Sequence, residues 1–356
     1  MTDIASLLAK LPNAATENIS LIYAPALAGQ YHPTFPPHMP TLIHGIDSAE
    51  LLAKVHSLLM LVYPSSHPIH LGHEATTLAN LSTRQPNNYP TSLYIPPLGP
   101  NTSLEEFQEL IAHLRAPDGC PWDREQTHQS LRRNLIEETY EVVDALDAND
   151  PKAMQEEFGD LMVQVALHAQ IASEAGEFRM ADVLHGIITK LIARHPHVFG
   201  DLQLGDAEAV IANWENLKAA ERRQQGAEKG LLDGVSAALP ALSQAEAYTT
   251  RAARVGFEWP NIQGVLGDVA EEIQEFRAEA AGSAEQEAEF GDVLFALVNL
   301  SRWLKIDAEA ALRGANARFR KRFAFVEAGA RAQGRPLSEL TLEEMNALWE
   351  ESKAAE

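Results

Sequence analysis

A chain of 356 residues, 46% hydrophobic and 22% charged, has room for two or three domains; it is not disordered, and it has no apolar run long enough to span a membrane. Lys and Arg total 28 against 50 Asp and Glu, a net charge of −22 that repels a phosphodiester backbone, disfavours a nucleic-acid binder and attracts divalent cations. A single cysteine, Cys120, excludes an internal disulfide, and the N-terminus lacks a basic segment followed by an apolar stretch, so a reducing, cytoplasmic setting is expected.

In chain order, residues 1–98 stand apart. Counting Pro100, they hold 13 of the 20 prolines, and they carry 7 of the 13 histidines. Their net charge is −2, so −20 belongs to residues 99–356. Apolar runs such as Leu58–Tyr63 and Ser92–Ile95, bounded by proline-rich turns, predict helix and strand pieces of a small α/β unit. Residues 99–103 read as a linker, with Ser103 as N-cap and Glu106 completing a capping box. From Leu104 onward, alanine, leucine and glutamate dominate. Leu131, Leu135, Val142 and Leu146 form a helical stripe, and Asp150-Pro151 breaks the chain and starts another helix. The expected fold is mainly all-α, two helical-bundle modules at 104–235 and 236–356 preceded by the α/β region.

The two-module reading rests on a repeat. Glu138-Thr139-Tyr140-Glu141 is answered by Glu272-Ile273-Gln274-Glu275 after 134 residues, and Glu157-Phe158-Gly159-Asp160 by Glu289-Phe290-Gly291-Asp292 after 132. Trp214-Glu215 with Lys218 returns as Trp349-Glu350 with Lys353 after 135. Three blocks in order at nearly constant offset indicate duplication of a roughly 130-residue module.

Spacing sets the chemistry. Acidic residues at i and i+3 lie about 60° apart on a helix, so both carboxylates face the same way. If neighbouring helices pack antiparallel, Glu138, Glu141, Glu157 and Asp160 converge, as do Glu272, Glu275, Glu289 and Asp292. Such a cluster stays ionised only with a cation, and its all-oxygen donors suit a hard divalent ion, Mg²⁺ or Mn²⁺. A lone ExxE is ordinarily a solvated helix face; ExxE followed by ExxD beside the apolar run Phe158, Leu161, Met162 and Val163, and repeated in register, is not.

With Gly119-Cys120-Pro121-Trp122-Asp123 ahead and Arg194-His195-Pro196-His197-Val198-Phe199 behind, the pattern over residues 104–353 resembles the MazG family of nucleoside triphosphate pyrophosphohydrolases. The resemblance implies hydrolysis of NTP to NMP and pyrophosphate with Mg²⁺, in a homodimer that clears the nucleotide pool, with the second module carrying most of the activity. The basic run holding Asn316, Arg318, Lys321 and Arg322 reads alone as a solvated face. Its place after a carboxylate cluster matches the family's phosphate-binding pattern and assigns it to the pyrophosphate. In the first module His195-Pro196-His197-Val198 stands where the second has Phe319-Arg320-Lys321-Arg322, so fewer phosphate-binding cations are expected there. One departure is Glu285, where some members carry lysine. Trp259 either stacks a base or packs before a helix start.

Other residues carry less. Cys120 has no matched His and Asp, so it is not expected to be a nucleophile. Trp122 reads as structural, and His168 and His185 as core or surface residues. His67, His70 and His73 have loop spacing usual for incidental histidines. Residues 1–98 partly resemble the C-terminal half of a tetrapyrrole methylase domain. Gly29, Gly45 and Gly72 form no clustered loop for a methyl donor, so a non-binding remnant is expected. Competing functional readings are a non-catalytic acidic adaptor and a di-metal carboxylate oxidase. The oxidase needs Glu-x-x-His pairs, and Glu125-Gln126-Thr127-His128 lies outside the repeated cluster.

Overall fold

The computed structural model describes residues 18–72, 74–81, 91–207, 209–211, 213–214, 217 and 230–355. His73, Glu215 and Lys218, named above, lie outside the described residues, as does most of the N-terminal segment read for a signal. The chain forms two compact units, Met1–Thr189 and Lys190–Glu356.

The first unit begins with a mixed sheet. Its strands are β1 (Ser20–Tyr23), β2 (Thr41–His44), β3 (Pro68–Leu71), β4 (Glu74–Thr77) and β5 (Ser92–Ile95), in the order β1-β2-β5-β3-β4. β1 and β2 run parallel, and the connection between them carries the short helix α1 (Ala24–Ala28). The other pairings are antiparallel, which suits short connections: β3 turns into β4 at Gly72, whose φ of +64° lies in the left-handed region. Helices α2 (Ala49–Leu59) and α3 (Leu78–Leu81) complete this part. Ser48 caps α2 by accepting from the Leu51 amide, and Val55, Leu59, Ile43, Ile69, Leu93 and Ile95 share one apolar core. The strand expected from Ser92–Ile95 is present, whereas only Leu58 and Leu59 of the other run are helical, closing α2, and residues 60–63 turn out of the helix to bury Tyr63 in the core.

Helices dominate the rest, as the composition predicts. In the first unit they are α4 (Leu104–Arg115), α5 (Pro121–Glu125), α6 (Arg132–Asp147) and α7 (Pro151–Glu174); α8 (Met180–Arg194) begins in the first unit and ends in the second, which also holds the short α9 (Pro196–Phe199). Ser103 caps α4 as expected, but the Glu106 carboxylate reaches past it to accept from the Thr102 amide at 2.9 Å. Asp150 caps α7 with Pro151 in its first turn. Ile111, Leu131, Ala166 and Leu167 form a second small core. Arg115 pins α4 to the end of α7 through Glu174, at 3.0 and 2.7 Å. One expectation fails: Leu146 closes the predicted stripe yet is 48% exposed, because α6 packs on α7 along Val142 and Ala145 and its last turn runs past that seam.

The second unit holds α10 (Ala241–Arg254), α11 (Ile262–Ala278), α12 (Ala284–Trp303), α13 (Ala308–Ala332) and α14 (Leu342–Ala354). Each of the last four starts on a side-chain cap, Asn261, Ser283, Asp307 and Thr341 respectively. α11 and α12 form a hairpin, with Phe276 and Phe290 in contact across it at 5.6 Å. α10 lies against α12 and α13, and α13 pairs with α14.

Candidate active site

Two helical hairpins carry the repeated acids. On the first, Glu138 of α6 meets Glu157 and Asp160 of α7; on the second, Glu272 of α11 meets Glu289 and Asp292 of α12. In each trio one oxygen per residue lies within 4.8 Å of the others. The cause is local: i, i+3 spacing puts each ExxD pair on one face, and the hairpin turns that face toward the ExxE helix. Glu141 and Glu275 stand beside the trios and add their charge: Glu141 acts on Glu138 and Glu157, Glu275 on Glu272 and Glu289.

The electrostatics of both trios favour a positive counter-charge. Partial desolvation, then the negative charges of Asp292, Glu275, Asp268 and Glu289, raise Glu272 above the ordinary carboxylate value. Glu138 is raised by desolvation and by Asp160 and Glu141; Glu157 and Glu289 are raised in the same way. Three convergent carboxylates, the two glutamates of each trio raised by desolvation and by their neighbours' charge, are a fitting donor set for a hard divalent cation.

One feature differs from a site sealed inside a dry bundle. Asp160 and Asp292 are exposed, and Phe158, Met162 and Phe290 are each more than 40% exposed. A two-helix hairpin buries only the side facing its partner helix, and these side chains point past that seam.

Beside the second trio lies a cavity of about 630 Å³. Glu272 and Asp292 line it together with Asp268, one turn before Glu272 on α11, and Phe295, Asn299 and Arg302, which continue the Asp292 face of α12. The loop after α10 contributes Phe257, Glu258 and Trp259. The Glu258 carboxylate accepts from the Trp303 indole at 2.7 Å, from the Trp259 amide at 2.9 Å and from the Arg302 guanidinium. Arg302 also donates to Asn299 Oδ1 through Nε at 3.1 Å and Nη2 at 2.8 Å. The Trp259 ring rests on Gly264, where an added Cβ would meet the indole at 2.8 Å.

Trp259 is therefore on the cavity wall with the carboxylates. Asn316, Arg318, Lys321 and Arg322 all lie on α13 and are not among the residues lining that cavity. Arg322 sits over the Trp349 ring at 5.8 Å, and Phe319 touches the same ring at 5.2 Å, so this run meets α14. Asp268, Asn299, Arg302 and Glu258 were not singled out from the sequence. Positions 292, 295, 299 and 302 nevertheless share one helical face, a signal that extends the Asp292 stripe.

The remaining candidates are dispersed. His67 is buried and hydrogen-bonds the Pro96 carbonyl at 3.0 Å, whereas His70 lies against Tyr94. His168 stacks on His128 with their Nδ1 atoms 2.7 Å apart, and His185 is exposed. Trp122 is 56% exposed, in contrast to the structural role expected of it; it lies on the five-residue α5, which buries no side chain. Cys120 is a free thiol at the start of α5. His195 packs edge-on against Trp214 at 5.1 Å. No helix among the described residues is long and apolar enough to cross a membrane.

Comparison with known proteins bears on the same helices. The MazG nucleotide pyrophosphohydrolase domain matches residues 126–199, which contain the first acidic trio. The chain is 45% identical over 273 residues to the uncharacterized protein YabN of Bacillus subtilis, covering 75% of this chain but only 55% of YabN, so it spans about half the length of that relative. It is 42% identical over 253 residues to the nucleoside triphosphate pyrophosphohydrolase/pyrophosphatase MazG of Thermotoga maritima, covering 71% of this chain and 96% of that protein. With the nucleoside triphosphate pyrophosphohydrolase of Escherichia coli K12 it shares 41% over 258 residues, 98% of that protein. Near-complete coverage of two relatives at this identity, on a helical chain whose paired hairpins gather carboxylates, shows that the chain belongs to the MazG family.

Proposed function

We propose that this chain is a nucleoside triphosphate pyrophosphohydrolase, converting NTP or dNTP and water to the monophosphate and pyrophosphate with Mg²⁺, or Mn²⁺, as cofactor. The observation that carries the reading is the meeting of Glu272, Glu289 and Asp292 beside a cavity walled by Trp259 and Phe257. It places a charge-demanding cluster next to an aromatic surface, as a nucleotide requires. The similarity to enzymes of that name supports it.

In this reading the three carboxylates hold the cation, which when bound neutralises triphosphate charge and lowers the barrier to attack by water. Glu275, beside the trio but outside it, accepts a proton from the attacking water. Trp259 stacks on the base. Asn316, Arg318, Lys321 and Arg322, carried on α13, are read as binding the pyrophosphate end. We read residues 104–235 and 236–356 as tandem modules, the second the more active. Residues 1–98 are read as a truncated methylase-like α/β region that binds no methyl donor, joined by the linker 99–103. The homodimer and a role in clearing the nucleotide pool belong to the same proposal.

The test is pyrophosphate release from NTPs in Mg²⁺, run in ¹⁸O-labelled water. Attack at the α-phosphorus puts the label in the monophosphate. Equal release by the wild type and by Glu275→Ala or Glu289→Ala protein would remove this site from the reaction. No release at all would leave the acidic-adaptor reading.

A further inference from the structure

We infer that the cavity of the second unit selects 6-oxopurine nucleotides over 6-aminopurine ones. The inference rests on the cavity being the nucleotide site proposed above, and it turns on which hydrogen-bonding atoms the cavity leaves open. Asn299 Oδ1 accepts two bonds from Arg302, the orientation of the amide that pairs these donors with an acceptor. The amide NH₂ of Asn299 is left to donate. Arg302 spends Nε and Nη2 on Asn299 and Glu258, and Nη1 has no acceptor among the described residues. The Glu258 oxygens are already taken by Arg302, by the Trp303 indole and by the Trp259 amide.

At this end the cavity thus offers donors, one of them charged, on a wall that the network holds still. A 6-oxopurine presents two acceptors side by side, O6 and N7. A 6-aminopurine replaces O6 with a donor, which would face the Asn299 amide and the Arg302 guanidinium donor to donor. The Tyr248 hydroxyl, also on the wall, both donates and accepts and does not discriminate. Spacing agrees: Asn299 is seven residues beyond Asp292 on the same helix, about 10 Å along its axis, comparable to the span of a nucleoside 5′-phosphate. Leu167 and Gln170 occupy the equivalent places in the first hairpin, so this donor pair belongs to the second unit alone.

The comparison is inosine against adenosine monophosphate, two ligands that differ at position 6 and in the proton on N1, titrated into the full-length protein by tryptophan fluorescence and calorimetry. The same ratio is then read as kcat/KM for ITP against ATP. Inosine monophosphate is expected to bind about tenfold more tightly or better, as a charge-assisted hydrogen bond gained against one donor clash implies. Asn299→Asp keeps an acceptor for Arg302 but removes the donor, and the preference is expected to collapse or invert. Asn299→Leu is expected to bring the two ligands within about twofold. A purely bracing role for Asn299 would lower both affinities together and leave their ratio intact in either variant, which overturns the inference. Equal or tighter adenosine monophosphate binding by the wild type overturns it as well, as does binding of neither. If no triphosphate is hydrolysed, the enzymatic reading falls while the binding ratio still decides the selectivity.

Discussion

Glu272 is held where an ionised carboxylate is poorly tolerated, with burial and four acidic neighbours raising its proton affinity. A carboxyl whose folded pKa is raised binds more protons folded than unfolded, so stability falls as pH rises through the carboxylate range. The acidic trios therefore cost stability at neutral pH in the absence of a counter-charge, and a divalent cation is expected to restore it. Calorimetry with and without Mg²⁺ should show a higher melting temperature with the ion at pH 7 and a shrinking difference as pH approaches the carboxylate range. Glu344 runs the opposite way. Hydrogen bonds from Arg335 and the Thr341 amide hold it down to about 2, so its contribution is present at neutral pH and is lost as pH falls below the ordinary carboxylate value toward 2. The acids also allow the modules to be ranked. Glu272→Gln is expected to reduce pyrophosphate release by about 100-fold or more, in the range seen when a charge-stabilising group is removed from a reacting site. Glu138→Gln is expected to reduce it far less, and equal losses would count against the asymmetry.

Among the elements, α11 and α12 matter most, because their termini fix the register in which the acids meet. Asn261 and Ser283 cap them, and replacing Ser283 with alanine should cost about 1 kcal/mol of stability in chemical denaturation. Gly264 has a different task. It sits in the first turn of α11, where helix propensity would favour alanine by about 1 kcal/mol. A methyl group there would press on the Trp259 ring. Gly264→Ala is accordingly expected to leave stability unchanged or raised while KM for nucleotide rises several-fold, a split that steady-state kinetics beside thermal melts would show. That the acids ride on helices and that a helix starts after Trp259 was legible in the sequence; the caps Asn261 and Ser283 were not singled out there. Nor were the partners of Trp259, since Glu258 reaches Trp303 and Arg302 across more than 40 intervening residues.

At the scale of the whole molecule, unburied apolar surface is the main feature. α8 buries no side chain, and Leu184, Ile187 and Ile188 on it are each more than 40% exposed, as are Phe158 and Met162 on α7. Such surface is costly in water, and the proposed dimer would cover it. The wild type is expected to sediment as a dimer and the double variant Leu184→Glu with Ile188→Glu as a monomer. An unchanged sedimentation coefficient would count against a dimer formed through this face.

What the sequence determined by itself is what depends on neighbours along the chain. The caps at Ser103 and Asp150, the acids spaced three apart, their recurrence after 134 and 132 residues and the change from α/β to helical composition are all local patterns, set by helix geometry and turn chemistry. Tertiary structure decided which of those acids share a focus, leaving Glu141 and Glu275 beside the trios rather than in them. It also decided that the basic run on α13 meets Trp349 while Asn299 and Arg302 line the cavity. The reason is physical: spacing along a helix sets the direction of a side chain, but its partner is chosen by the packing of other helices, whose positions come from burial summed over the whole unit.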